Sequence, residues 1–180
     1  MSFRVAFIIF CMAVPGLTQA QDKLPPAVIA VLDSQFVIVN GQASQGIRTQ
    51  IEAIRDVYSE EIKALEDELR SDEDELKRQQ AILAPDIFAE RRREWEDRLA
   101  YVERLVEERN RQIDRSFNDA MNQVREAVLS VIVEMTEQRG FNIILEKGEL
   151  VFAARTLDIT DDIIIALDEA LPNVDVPMPK

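Results

Sequence analysis

The stretch from residue 44 to residue 139 restricts the fold more than any other feature of the sequence. It contains Gly46 near its start, no further glycine before Gly140, and a single proline, Pro85. Apolar residues recur at steps of three and four through both halves, which is the pattern of amphipathic helices. A 40-residue helix is about 60 Å long, longer than the core of a 180-residue chain requires. The stretch therefore predicts two long helices that pack as a coiled coil.

The position of Pro85 indicates how these two helices are arranged. The seams on either side of it run through Ile47, Ile51, Ile54, Tyr58, Ile62, Leu65, Leu69, Asp72, Leu76, Gln79 and Leu83, and through Phe88, Arg92, Trp95, Leu99, Val102, Val106, Arg109, Ile113, Phe117, Ala120 and Val124. Each seam has one stutter, two consecutive steps of four, centred on Tyr58 and on Ile113. Both stutters are almost equally far from Pro85, so a chain that folds back there brings them side by side. We therefore predict an antiparallel hairpin with its tip near residue 85 and with Asp86 capping the second helix.

One bent coiled coil with parallel strands is the alternative to this hairpin. It would place Pro85 inside the rod, where a proline costs about 3 kcal/mol. The hairpin avoids that cost because the proline then lies at the turn.

The residues before the hairpin predict a strand and a short helix. "AVIAVLD", which starts at Ala27, is a short apolar run of the kind found in buried strands. "SQFVIVNG" predicts a short helix or turn that ends at Gly41, because Asn40-Gly41 interrupts regular structure.

The residues after the hairpin predict a second group of short elements. Gly140 is expected to end the long helix as its C-cap. "FNIILEKGELVFAA" predicts a β-hairpin around Lys147-Gly148. A last helix is expected to start at Thr160 as N-cap and to stop before Pro172, and the tail "NVDVPMPK" is expected to be loose.

The predicted fold is α+β, with a small β-rich head, an inserted helical arm and a tentacle-like shape. Residues 21–43 and 140–180 form the head, and residues 44–139 form the arm. A head with three short strands buries little apolar surface, and its open strand edges can pair with other chains. We expect the heads to oligomerise through the following residues: Val28, Ile29, Val31, Ile143, Ile144, Val151 and Phe152.

Residues 1–20 have the layout of a cleaved secretory signal. Arg4 precedes the apolar run "VAFIIFCMAVPGL", and Thr18 and Ala20 supply small residues before the predicted cleavage site. A retained membrane anchor is the alternative, although the run is shorter than the ~20 residues that span a bilayer. Cleavage would remove Cys11, the single cysteine, and would change the net charge from −13 to −14.

The order of these segments resembles a known family. "AVIAVLDSQFVIVN", the charged helical hairpin, "RGFNIILEKGELVFAA" and "LDITDDIIIAL" are similar, in that order, to the Skp/OmpH family of periplasmic chaperones. The resemblance implies a homotrimer whose heads join in a central β-structure and whose arms enclose unfolded outer-membrane proteins in the periplasm. The best-known members are basic, whereas this chain is acidic, so a strongly cationic cavity is not carried over.

The sequence predicts no enzymatic site. It contains no histidine, which removes the commonest general base, and it has neither of the glycine-rich phosphate-binding motifs. The acidic runs "SDEDE" at 71–75 and "DITDD" at 158–162 lack the spacing of a calcium loop and are interpreted as a solvated helix face and a helix cap. We expect no catalysis, no cofactor, no metal and no nucleic-acid partner.

The predicted tip is basic in an otherwise acidic chain. Five cations stand there against Asp86 and Glu90, a local excess of +3: Lys77, Arg78, Arg91, Arg92 and Arg93. They indicate either an ordinary soluble hairpin end or a contact with anionic lipid headgroups or client.

Three apolar residues outside the seams are candidates for client contact: Val57, Tyr101 and Leu105. Isolated exposed apolar residues are also common on ordinary surfaces. Together with the resemblance, they favour an ATP-independent holdase that acts through many weak contacts. Polar seam residues at Asp72, Gln79, Arg92 and Arg109 would leave the distal arm loosely packed. The alternative is an exported coiled-coil spacer or adaptor of the cell envelope.

Overall fold

The computed structural model describes residues 25–178, so the predicted signal lies outside the described residues. Its elements, in chain order, are β1 Ile29–Leu32, α1 Ser34–Asn40, α2 Gln42–Gln79, α3 Pro85–Arg139, β2 Ile143–Glu146 and α4 Thr160–Ala170. Single 3-10 turns cover Lys147–Glu149 and Arg155–Leu157. The long helices α2 and α3 form the hairpin, and the two strands join the ends of the chain, which confirms the predicted α+β fold.

The hairpin turns within residues 80–84. Helix α2 ends at Gln79, and α3 begins at Pro85 itself. Proline is favoured at this first helical position because its missing N–H would have no helical partner there. The predicted cap at Asp86 is wrong: Ala84 occupies the N-cap position and makes no side-chain hydrogen bond. Asp86 lies in the first turn, where its charge favours the positive end of the helix.

The interior of the hairpin follows the predicted seams. Near the head, Ile47, Ile51, Ile54 and Tyr58 are buried. Beyond Tyr58, most seam residues on α2 are only half-buried, and Arg92 of the α3 seam is exposed. The arm is therefore packed more tightly at its root than at its tip.

The head is a two-stranded parallel sheet with helices against it. Strand β1 pairs with β2 from Ile29↔Ile143 to Leu32↔Glu146, and a single bridge joins Val31 to Asp158 on the other side of β1. Parallel neighbours need a long crossover connection, and here the whole arm is that crossover. The most deeply buried residues of the head are Val31, Val37, Ile163 and Leu167.

The predicted β-hairpin around Lys147-Gly148 is wrong. Lys147–Glu149 forms a 3-10 turn, and residues 150–154 pair with no strand among the described residues. Val151 and Phe152 consequently project into solvent. The apolar pattern indicated extended backbone, but it carried no information on which strand would pair with it. The strand that pairs with β2 is β1, 114 residues earlier in the sequence.

The end of α3 confirms one prediction, and the start of α4 contradicts another. Gly140 caps α3 in the left-handed conformation with φ of 73°, and its N–H donates to the carbonyl of Thr136 at 2.9 Å. Thr160 is not the N-cap of α4. Its hydroxyl instead accepts a hydrogen bond from the Asp33 N–H at 3.0 Å, while Asp158 Oδ1 accepts from the Thr160 N–H.

The predicted loose tail is also wrong. Val174 and Val176 are buried in the same apolar cluster as Ile47 and Ile51 of α2. The two valines alternate with polar residues, so the sequence contained a signal for this packing, but the prolines around it favoured a loose segment.

Candidate functional site on the arm and head

Contacts between α2 and α3 fix the register of the arm. The indole Nε1–H of Trp95 donates to the carbonyl of Leu69 at 3.0 Å. Arg98 pairs with Glu68 at 3.0 Å and also contacts Asp72. These contacts join residues that are nearly equally far from the turn, as an antiparallel hairpin requires.

The predicted client-contact residues share one side of the arm. Val57 and Leu105 each directly precede a seam residue in the sequence. Glu68 and Arg98 occupy the same position relative to their seams, and they pair across the two helices. Val57 and Leu105 therefore lie on the same side of the hairpin as the Glu68–Arg98 pair. Tyr101 lies one turn from Leu105 on the same helix face.

The three residues differ in exposure. Val57 is 49% exposed and Tyr101 is 54% exposed, whereas Leu105 is half-buried. Because Glu61 pairs with Arg109 across the arm, Val57 and Leu105 lie about two helical turns, roughly 12 Å, apart along its axis. They form a sparse apolar row rather than a pocket.

A polar cluster lies at the middle of the arm. Arg109 donates to both carboxylate oxygens of Glu61 at 3.1 Å, and its guanidinium lies 4.4 Å from the centre of the Tyr58 ring. The hydrogen bonds that Arg109 donates to Glu61 raise the pKa of Arg109. Tyr58 and Ile113 line one groove beside this cluster, so the predicted side-by-side stutters are at the same level. The sequence marked Arg109 only as a polar seam position that would loosen the arm, whereas in the structure it joins α2 and α3.

The five basic residues of the predicted tip differ in their partners. Lys77 pairs with Glu73 at 2.8 Å, which raises its pKa. Arg91 and Arg92 have acidic partners one turn further along α3, at 3.8 Å and 3.3 Å. Arg78 and Arg93 have no ion pair within residues 25–178. Such exposed pairs contribute little to stability, but their carboxylates offset part of the positive charge, so Arg78 and Arg93 are the cations of this group without an acidic partner in the described part of the chain.

Apolar residues accompany these charges at the tip. Ile82 is 80% exposed in the turn, and Ile87 is exposed in the first turns of α3. The tip therefore exposes apolar side chains as well as arginines.

The predicted oligomerisation residues divide into exposed and buried groups. Val28, Ile29, Ile143, Val151 and Phe152 are exposed, Ile144 is half-buried, and Val31 is buried within the chain. Strand β2 has β1 on one side and no strand on the other within the described part of the chain. The head thus combines an open strand edge with exposed apolar side chains, and Val31 supports it from the interior.

Sequence reasoning missed two exposed apolar residues near the head. Leu129 and Val133 are 64% and 60% exposed on α3. They are four residues apart and lie off the buried positions Val124, Val128 and Val131. That spacing was visible in the sequence beyond the last seam residue that we assigned.

Residues 25–178 contain neither a membrane-spanning helix nor a metal-binding cluster. No helix there is long and apolar enough to cross a bilayer. No group of three or more Asp and Glu side chains in that range is arranged to hold a metal ion.

Comparisons with known proteins complete these observations. The fold matches a crystal structure of a protein from Caulobacter crescentus CB15, provisionally described as an outer membrane chaperone (OmpH-like), with a TM-score of 0.77 and 15% identity. The match covers 84% of this chain and 90% of that one. A search of curated proteins finds no match. The model of the family described as "Outer membrane protein (OmpH-like)" matches residues 28–167, and the chain therefore belongs to this OmpH-like family.

Proposed function

We propose that this chain is an ATP-independent holdase chaperone of the periplasm. Three copies join through their heads, and their arms enclose unfolded outer-membrane proteins and keep them from aggregating. Family membership and the likeness to a protein described as an outer membrane chaperone support a chaperone role.

The arm is the observation that carries this proposal. Its interior is filled by its own seams, yet it leaves Val57 and Tyr101 about half exposed on one side. An unfolded barrel protein offers apolar strands and open strand edges that would otherwise pair with other copies. Sparse apolar contacts from several arms would hold such a client weakly at many points, and the contacts would add through multivalency.

The head supplies the reason for assembly. Phe152 is 85% exposed and Val151 is fully exposed in the segment that follows β2, and β2 itself has an unpaired edge within the described residues. Large exposed apolar groups of this kind mark interaction surfaces. We infer that these groups are covered by the heads of two further copies, which makes the arms project from a common centre.

The tip supports a transient contact with an anionic surface. Arg78 and Arg93 have no ion pair among the described residues, and the side chain of Ile82 is exposed in the turn between their helices. Charged groups and an apolar residue together suit contact with the headgroup region of a membrane. The same three residues also suit contact with a client segment.

The acidic charge predicts how client binding responds to salt. A net charge of −13 repels acidic clients at long range, and salt screens such repulsion beyond about 8–10 Å. Short-range apolar contact should therefore dominate, so added salt should leave client binding unchanged or strengthen it. A steep loss of binding with salt would contradict this mechanism.

An aggregation assay tests the proposal. A urea-denatured outer-membrane barrel is diluted into buffer with the protein and without nucleotide, and light scattering is followed. A holdase suppresses scattering at near-stoichiometric trimer, whereas a spacer or adaptor of the envelope leaves it unchanged. The double variant Val57→Ser with Tyr101→Ser should suppress scattering less. Ile165→Ser, which changes an equally exposed residue of the head, should act as the parent does.

A further inference from the structure

The residues that follow α4 form a strap along the root of the arm. We use this name for residues 173–176. Val174 and Val176 are buried, and the side chain of Gln50 bonds the backbone of the strap in both directions. Its Nε2–H donates to the carbonyl of Val174 at 2.8 Å, and its Oε1 accepts from the N–H of Val176 at 2.9 Å.

The strap also lies against α2 one turn before Gln50. Gly46 lies one turn before Gln50, and a Cβ built on it would be 3.4 Å from Oδ1 of Asn173. The strap therefore passes within van der Waals distance of α2 at this level as well as at Gln50.

The strap and α4 hold α2 at two levels. Asp168 of α4 accepts a hydrogen bond from the N–H of Gln42 at 2.7 Å. Gln50 lies eight residues further along, about 12 Å up the helix axis. Helix α4 is itself fixed in the head through the fully buried side chains of Ile163 and Leu167. These two separated attachments add to the apolar packing of Ile47 and Ile51 in the head cluster, and together they oppose a tilt of α2.

Helix α4 also contacts the other helix of the arm. Arg139, in the last turn of α3, pairs with Asp162 of α4 at 2.6 Å. Both helices of the arm are therefore tied to the same body at their roots. Helix α3 also lies against α4 along residues 131–138. The strap adds a further attachment to α2, and it lies beyond residue 167, where the match to the family model ends.

We propose that the strap sets the angle at which the arm leaves the head. With the strap docked, α2 is held at Gln42 and at Gln50, and the arm keeps one direction. With the strap released, the arm pivots about its contacts with α4. This inference concerns the geometry of the arm alone and does not depend on the chaperone activity.

A distance measurement within one chain tests the strap. Spin labels are attached through Ile165→Cys on α4 and Lys63→Cys on α2, both exposed, and labelled chain is mixed with excess unlabelled chain. The parent should give one narrow distance peak. Val174→Ser with Val176→Ser removes the apolar docking of the strap and should broaden or split that peak. The matched pair Leu129→Ser with Val133→Ser changes exposed residues of α3 and should leave the peak narrow.

A second variant tests the strap even if the double serine variant does not fold fully. Gln50→Glu keeps both valines and removes the donor to the Val174 carbonyl, and it should broaden the same peak. A peak that stays narrow in the folded variants, with only a lower melting temperature, would overturn the proposal, because the strap would then add stability without directing the arm.

Discussion

Arg109 and Glu61 join the two helices of the arm at its middle, with both pairs of donor and acceptor atoms 3.1 Å apart. The guanidinium also covers the ring of Tyr58, and the Arg109 side chain is only 19% exposed. This contact lies beside the stutters, where both seams leave the heptad pattern. It therefore separates a root with buried seam residues from a distal arm with half-buried ones.

Replacing Arg109 should loosen the distal arm. Arg109→Met keeps much of the aliphatic length and removes the ion pair and the cation–π contact, so we expect a loss of about 1–2 kcal/mol in the free energy of unfolding. Amide hydrogen exchange should become faster from the middle of the arm to the tip and stay unchanged in the head. Arg111→Met, which removes an exposed intrahelical pair, is the control, and equal effects of the two variants would contradict the assignment.

Removing the hydroxyl of Ser44 should stabilise the fold. Its side chain is fully buried, and Oγ has no hydrogen-bond partner among the described residues. A buried hydroxyl without a partner costs about 1–3 kcal/mol, so Ser44→Ala should raise the free energy of unfolding by roughly 1 kcal/mol. Ser59→Ala, on the exposed surface of the same helix, measures the helix-propensity part alone. In urea denaturation, Ser44→Ala should raise the free energy of unfolding clearly more than Ser59→Ala does.

Asp158 should make the head sensitive to acid. The hydrogen bonds from Lys147 and from Thr160 lower the pKa of Asp158 from 3.8 to about 2. Because the folded pKa is below the unfolded one, the carboxylate stabilises the fold above about pH 4, and this contribution is lost as the pH falls towards 2. Asp158→Asn should therefore cost about 1–2 kcal/mol at pH 7 and much less near pH 2.

The comparison for Asp158 is Glu169→Gln, which removes an exposed carboxylate from α4. Its effect on the free energy of unfolding should be small at both pH values. A loss for Asp158→Asn that is equally large at pH 7 and at pH 2 would show that packing, rather than the charge, is responsible.

Phe152 should control assembly. Phe152→Ser removes the most exposed aromatic group of the head, so the mass in solution should shift from three chains towards one. Ile82→Ser removes a residue of comparable exposure at the tip and should leave the mass unchanged. Retention of the parent mass by Phe152→Ser would mean that this surface is not the interface.

The helical arm could be predicted from the sequence because its determinants are local. The steps of three and four place residues such as Ile51 and Val124 inside the hairpin, and both are buried. Pro85 could be assigned to the turn because an interior position is costly. The two stutters then predicted which residues of α2 and α3 lie at the same level. The groove that both Tyr58 and Ile113 line supports this register.

The head could be predicted only in part because its pairings are distant in the sequence. The run at residues 143–146 was recognised as a strand, but its partner, β1, lies on the other side of the arm. Thr160 looked like a cap because of its residue type, and its hydroxyl serves Asp33 instead. The strap escaped prediction because its partner, Gln50, is an ordinary polar residue within a charged helix.

Native mass spectrometry of the protein mixed with one denatured outer-membrane barrel tests the central claim most directly. The account predicts a complex of three chains and one client, formed without nucleotide or metal. A spectrum with three chains but no bound client would contradict the holding activity, and a spectrum with single chains only would contradict the assembly on which it depends.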